Sequence, residues 1–129
     1  MEALVRILHV EDDPSIRLIT KMTLEKVGKL TVASCANCHE ALEALANFKP
    51  QIILLDVMMP GMDGPATLKA MQAAQSLDGI LVLFMTAKVQ NQEIEEYLKL
   101  GARGVITKPF EPLDLPRQLR DHWAAFLAD

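Results

Sequence analysis

Five side chains in this sequence make chemical sense together. Glu11 and Asp12 follow one short apolar run, Asp56 closes another, Thr86 follows a third and Lys108 a fourth. Three carboxylates gathered in one place repel each other, and at least one has its pKa raised unless a cation intervenes. A hard divalent ion resolves that conflict, and Mg2+ favours oxygen ligands while keeping several waters. A metal, a carboxylate nucleophile, an ammonium and a hydroxyl form a set suited to phosphoryl transfer. The metal and Lys108 would neutralise charge on the transferring oxygens. Asp56 would attack phosphorus and form an acyl phosphate. Singly, each residue has a plainer reading: Glu11 and Asp12 as a solvated helix start, Thr86 as a helix cap, Lys108 as a surface lysine. Their joint placement at the ends of four apolar runs favours the chemical reading.

The elements that must position them alternate in type. Residues 5–10 read as a strand, and 14–27 as a helix with Ile16, Ile19, Met22, Leu24 and Val27 along one face. Asp13 is a suitable N-cap, Pro14 fits the first turn and Gly28 stops the helix. Strands follow at 30–35, 51–55, 80–85 and 104–107, and helices at 37–48, 65–75, 91–100 and 114–127. The third and fourth strands are almost wholly apolar, as strands buried on both faces are. Five β-α units in succession imply a parallel sheet with helices on both faces, an α/β doubly wound (βα)5 domain. The whole chain, 1–129, is expected to be one such domain, with no room for an output domain. In a parallel sheet all the strand ends named above share the carboxyl edge, where open α/β sheets bind ligands.

The 129 residues are half hydrophobic and carry a formal net charge of -4 without a long run of like charge. This argues against a basic nucleic-acid surface. The apolar runs are strand-sized, short of a membrane span, and the first residues lack a secretory pattern, so a cytoplasmic protein is expected. Cys35-Ala36-Asn37-Cys38-His39 fits the C-x-x-C-H pattern of haem attachment. With no export signal, the plainer reading is favoured: two small residues at a strand end and in the next helix.

The sequence resembles the response-regulator receiver domains of bacterial two-component signalling. The resemblance rests on Ile7-Leu8-His9-Val10-Glu11-Asp12, on Asp56-Val57-Met58-Met59-Pro60-Gly61-Met62-Asp63-Gly64, on Thr86-Ala87, and on Gly101-Ala102 with Lys108-Pro109-Phe110. It implies a flavodoxin-like sheet in strand order 2-1-3-4-5, with Asp56 as phosphoacceptor. Asp12 and Asp56 would be direct Mg2+ ligands, Glu11 a ligand through water and the Met58 carbonyl a further one, with Mn2+ as a substitute ion. Thr86 would bond a phosphoryl oxygen, Ala87 would leave the site open, and Lys108, before a cis Pro109, would pair with the phosphoryl group. The implied partners are a histidine kinase or histidine phosphotransfer protein upstream and an unidentified protein downstream. The output surface would be the fourth helix, fifth strand and fifth helix.

One position departs from the family. Many receivers carry an aromatic residue three places before the lysine, where its rotation reports phosphorylation, and here that residue is Val105. Tyr97, on the preceding helix, either packs the helix against the sheet, the favoured reading, or carries part of the signal. Met58 and Lys88 are expected to border the path of a hydrolytic water. A metal-dependent phosphatase with an aspartyl nucleophile is the alternative function. Such enzymes usually need a second acid near the nucleophile, and Val57 and Met58 follow Asp56. A flavin-binding protein is excluded, because Glu11-Asp12-Asp13-Pro14 is acidic where a flavin phosphate needs glycines and hydroxyls.

Overall fold

The computed structural model describes residues 2–87 and 90–129. Its elements are β1 (Arg6–Val10), α1 (Pro14–Met22), β2 (Thr31–Cys35), α2 (Cys38–Phe48), β3 (Ile52–Asp56), α3 (Gly64–Ala74), β4 (Leu81–Thr86), α4 (Asn91–Leu100), β5 (Gly104–Thr107) and α5 (Leu115–Ala128). All five strands are parallel, in the order β2-β1-β3-β4-β5. The sheet and its order agree with the expectation from sequence.

Side chains alternate across the sheet, so the strands build two apolar layers. Leu8, Val10, Ile53, Leu55 and Phe84 meet Ala41 and Leu45 of α2, Leu68 and Met71 of α3 and Tyr97 of α4. Ile7, Ile52, Leu54, Leu83 and Met85 meet Leu24 and, from α5, Leu115, Leu119 and Trp123. Every residue of β3 and β4 is buried. A fully buried leucine or isoleucine contributes about 1.5–3 kcal/mol, so these strands hold the domain together.

The first helix departs from its expected form. It runs as an α-helix to Met22 and continues as a π-helical turn over Thr23–Val27. The departure from the expected buried face begins before that turn, within the regular helix. Thr20, Thr23 and Leu24 are buried, while Ile19, Met22 and Val27, expected inside, are about half exposed. A 3-10 turn, Pro112–Asp114, precedes α5. Cys35 ends β2 and Cys38 begins α2; both thiols are free and buried, and burial pushes Cys35 up to about 11.

Candidate functional site

Each site residue is delivered by a strand end and fastened by the backbone around it. The Asp13 side chain caps α1 by accepting from the N–H groups of Ser15 and Ile16 at 2.8 and 3.2 Å. One turn on, Arg17 Nη1 donates to the carbonyls of Glu11 at 2.7 Å and Asp12 at 3.2 Å, tying the acidic loop to α1. Beyond β3, the Val57 N–H donates to Met85 O at 3.0 Å and the Gly64 N–H to Val57 O at 2.9 Å. A Cβ on Gly64 would sit 2.5 Å from Asp56 O, so only glycine lets α3 start this close to the acceptor strand. The Lys108 N–H donates to Thr86 O at 2.9 Å, joining the ends of β4 and β5. The Lys108–Pro109 bond is cis, as the resemblance implies.

The side chains converge at the carboxyl edge. One oxygen from each of Glu11, Asp12 and Asp56 lies within 4.8 Å of the other two. Glu11, Asp56 and Thr86 are buried, and Asp12 is half-buried. Lys108 Nζ donates to Glu11 Oε1 at 2.8 Å and to Asp56 Oδ1 at 2.9 Å. A cleft of about 280 Å³ is lined by Glu11, Asp12, Asp56, Met58, Thr86 and Lys108, among others. The side chain of Met58 is largely exposed at its mouth. Lys88 lies outside the described residues.

The electrostatics match the crowding. Burial raises the pKa of Glu11, the charge of Asp56 adds to this, and the hydrogen bond from Lys108 opposes it. For Lys108, burial disfavours the charge, but the bonds to Glu11 and Asp56 outweigh it and raise the pKa. His9, two residues before Glu11 on β1, is driven down to about 3 by burial and then by the charges of Lys108 and Arg17. It is therefore neutral, and neither ring nitrogen has a hydrogen-bond partner among the described residues.

The donor set fits a small divalent cation. Octahedral oxygens about 2.1 Å from Mg2+ lie about 3–4 Å apart, and these carboxylates are near that spacing.

A model of the response regulator receiver domain matches residues 7–120. The chain belongs to the response-regulator receiver family. It is 34% identical over 116 residues to the transcriptional regulatory protein YvrH of Bacillus subtilis, covering 90% of this chain and 48% of YvrH. It is 31% identical over 123 residues to a 14.6 kDa protein of Leptolyngbya boryana, covering 95% and 93% of the two chains. Among solved structures, the chemotaxis protein CheY4 of Vibrio cholerae superposes with a TM-score of 0.84 at 30% identity, covering 92% of this chain and 98% of CheY4. The receiver spans about half the length of the first curated relatives it matches.

All five side chains singled out for chemistry thus meet in one cleft of a receiver, a signalling domain. Sequence reasoning missed Arg17. Its only signal was a basic residue one turn after the helix cap, which a solvated helix face shows equally often.

Proposed function

We propose that Asp56 of this receiver accepts a phosphoryl group from the phosphohistidine of a histidine kinase or histidine phosphotransfer protein. Modification then changes binding to a downstream protein through the face formed by α4, β5 and α5. The observation that carries this reading is the position of Lys108. Its ammonium bridges Asp56 and Glu11 at 2.8–2.9 Å, where it also meets charge arriving on Asp56. A carboxylate oxygen of Asp56 forms the bond to phosphorus as the P–N bond breaks and the imidazole leaves with that electron pair. Thr86 donates its hydroxyl to a phosphoryl oxygen, and Lys108 pairs with another. Asp12 and Asp56 would hold Mg2+ or Mn2+ directly, Glu11 would hold it through water, and the Met58 carbonyl would be a further ligand. An ion held there would supply neutralisation of charge on the transferring oxygens.

The approach to the site supports a protein donor. An apolar groove lined by Ile16, Ile19, Pro109, Phe110 and Pro112 opens beside Lys108. Exposed apolar surface next to a charged site suits a docking partner. The acidic balance favours protein over nucleic acid, and no helix among the described residues is long and apolar enough to cross a membrane. We read residues 1–129 as one receiver unit acting in the cytoplasm. A phosphatase is disfavoured, because half-buried Val57 and exposed Met58, neither an acid, follow Asp56.

A small acyl-phosphate donor with Mg2+ should add one phosphoryl group to the protein, read by intact mass. Asp56→Asn should add none, and chelation should stop the reaction in the parent. Labelling that persists in Asp56→Asn would overturn the assignment.

A further inference from the structure

Two adjacent methionines after the acceptor strand lie in opposite surroundings. Met59 is buried and packs into the apolar layer with Val10, Leu55 and Phe84. Met58 is 70% exposed and lines the cleft that holds Asp12, Asp56 and Lys108. The other described methionines are less open: Met22 and Met62 are 46% and 45% exposed, and Met71 and Met85 are fully buried. A side chain as exposed as Met58 removes little apolar surface from water, so it contributes little to the fold. What it places at the cleft mouth is a soft, polarisable thioether sulfur.

A thioether reacts with hydroperoxides to give methionine sulfoxide, a polar group that reductases return to the thioether. Access to sulfur decides which methionine reacts first. The competing soft nucleophiles are Cys35 and Cys38, and both thiols are buried. Burial pushes Cys35 up to about 11, so its reactive thiolate is scarce.

We propose that Met58 is a modification site, oxidised by a hydroperoxide ahead of the other described methionines, and that its sulfoxide shortens the lifetime of a phosphoryl group on Asp56. The sulfur lone pair attacks one peroxide oxygen. An S–O bond forms as the O–O bond breaks, sulfur gives up two electrons and the peroxide takes them. With hydrogen peroxide, the departing hydroxide takes the proton of the transferred oxygen and leaves as water. The thioether is a weak acceptor, whereas the sulfoxide oxygen accepts strongly and holds a water at the mouth of the cleft. Hydrolysis needs a positioned water, so oxidation speeds it. The order of oxidation stands on exposure, and the effect on lifetime rests on the reading of Asp56 as phosphoacceptor.

Brief treatment of the full chain with dilute hydrogen peroxide, followed by peptide mass spectrometry, should add oxygen first at Met58. Met22 and Met62 should follow more slowly, and Met59, Met71 and Met85 should be spared. Peroxide is removed before a small acyl-phosphate donor and Mg2+ are added. The oxidised parent should then lose its phosphoryl group about threefold faster than untreated protein, the low end of what one hydrogen bond is worth. Methionine sulfoxide reductases, one for each epimer, should restore both mass and lifetime. Met58→Leu is apolar without sulfur, so the same treatment should leave that variant's own lifetime where it was. Oxidation of Met22 or Met62 ahead of Met58 overturns the inference. Equal lifetimes in oxidised and untreated parent, or an equal shortening in Met58→Leu, overturn the effect on hydrolysis. An untreated parent that takes up no phosphoryl group overturns the acceptor reading and the lifetime effect with it, while the order of oxidation is still decided by mass.

Discussion

The two helices that flank the acidic cleft are held in different ways. α1 is capped by the Asp13 side chain, bound to the acidic loop through Arg17 and anchored by buried Thr20, with Thr23 and Leu24 continuing the contact. α4 has no side-chain hydrogen bond at its N-cap, Gln90, buries only Tyr97, and is otherwise held at its last residue, Leu100, whose carbonyl accepts from Gln72 Nε2 at 2.7 Å. It also carries three acids, Glu93, Glu95 and Glu96. A helix with several independent fastenings moves with the loop it carries, whereas a helix with few, none of them at its N-terminal end, can shift there without unfolding its neighbours. The difference assigns α1 to holding the site and α4 to reporting its state.

The most severe way to break this comparison is to remove the anchor. Tyr97→Ala leaves a cavity beside Phe84 and should cost about 3 kcal/mol or more in denaturant unfolding. Amide exchange should then rise far more in α4 than in α1. An equal rise in both helices would show that Tyr97 supports the domain as a whole and that α4 has no separate anchor.

The α1 side is probed next. Arg17→Met keeps much of the stem and removes the two bonds to the carbonyls of Glu11 and Asp12. Groups behind a metal ligand typically matter by an order of magnitude, so Mg2+ affinity should fall about tenfold by titration. The α4 response to a phosphoryl mimic, measured at saturating Mg2+, should be retained. Unchanged Mg2+ affinity would mean that the acidic loop holds its shape without α1.

Most of this architecture was legible in the order of residue types. The apolar runs ending at Val10, Asp56, Thr86 and Thr107 are separated by helical stretches with a visible cap at Asp13 and stops at Gly28 and Gly101. That alternation is enough for a parallel sheet with its chemistry on one edge. The burial of α1 was not legible, because the sheet takes the face of Thr20, Thr23 and Leu24, two of them polar, which a reading of hydrophobic spacing passes over. The role of Arg17 was hidden for another reason: its partners are backbone carbonyls, which leave no trace in the pattern of side chains. Tyr97 could be placed on α4 from sequence, but its packing against Phe84 depends on how α4 seats against β4.

A gentler test concerns the cleft mouth between the two helices. Met58 is 70% exposed and lines the cleft without contributing a group that orients water. Met58→Asn supplies an amide there. The phosphorylated protein should then decay about threefold faster after the donor is removed, a barrier change of about 0.6 kcal/mol. The change should be the same with Tyr97→Phe in the background, because Met58 lines the cleft and Tyr97 packs against Phe84 in the core. A lifetime equal to the parent's would remove Met58 from the control of hydrolysis.

The smallest expected effect is a difference in alkaline stability. Burial and neighbouring Glu93 raise the Tyr97 phenol above its ordinary value in the folded protein. Once unfolded, the phenol loses its proton near pH 10 or so. Between these two values the folded state binds more protons than the unfolded one, so stability falls as pH rises through that window. Lys108, also raised, keeps its proton longer when folded and contributes a second fall in the same direction. Tyr97→Phe has no phenol to titrate but retains Lys108, so subtracting its stability curve from the parent's isolates the tyrosine. Denaturant unfolding from neutral to strongly alkaline pH should show the parent losing more stability than Tyr97→Phe above about pH 10, with parallel curves below. Curves that stay parallel throughout would mean that the folded phenol titrates as it does in the unfolded chain. The buried position of Tyr97, and with it the role of Tyr97 as the main apolar anchor of α4, would then be wrong.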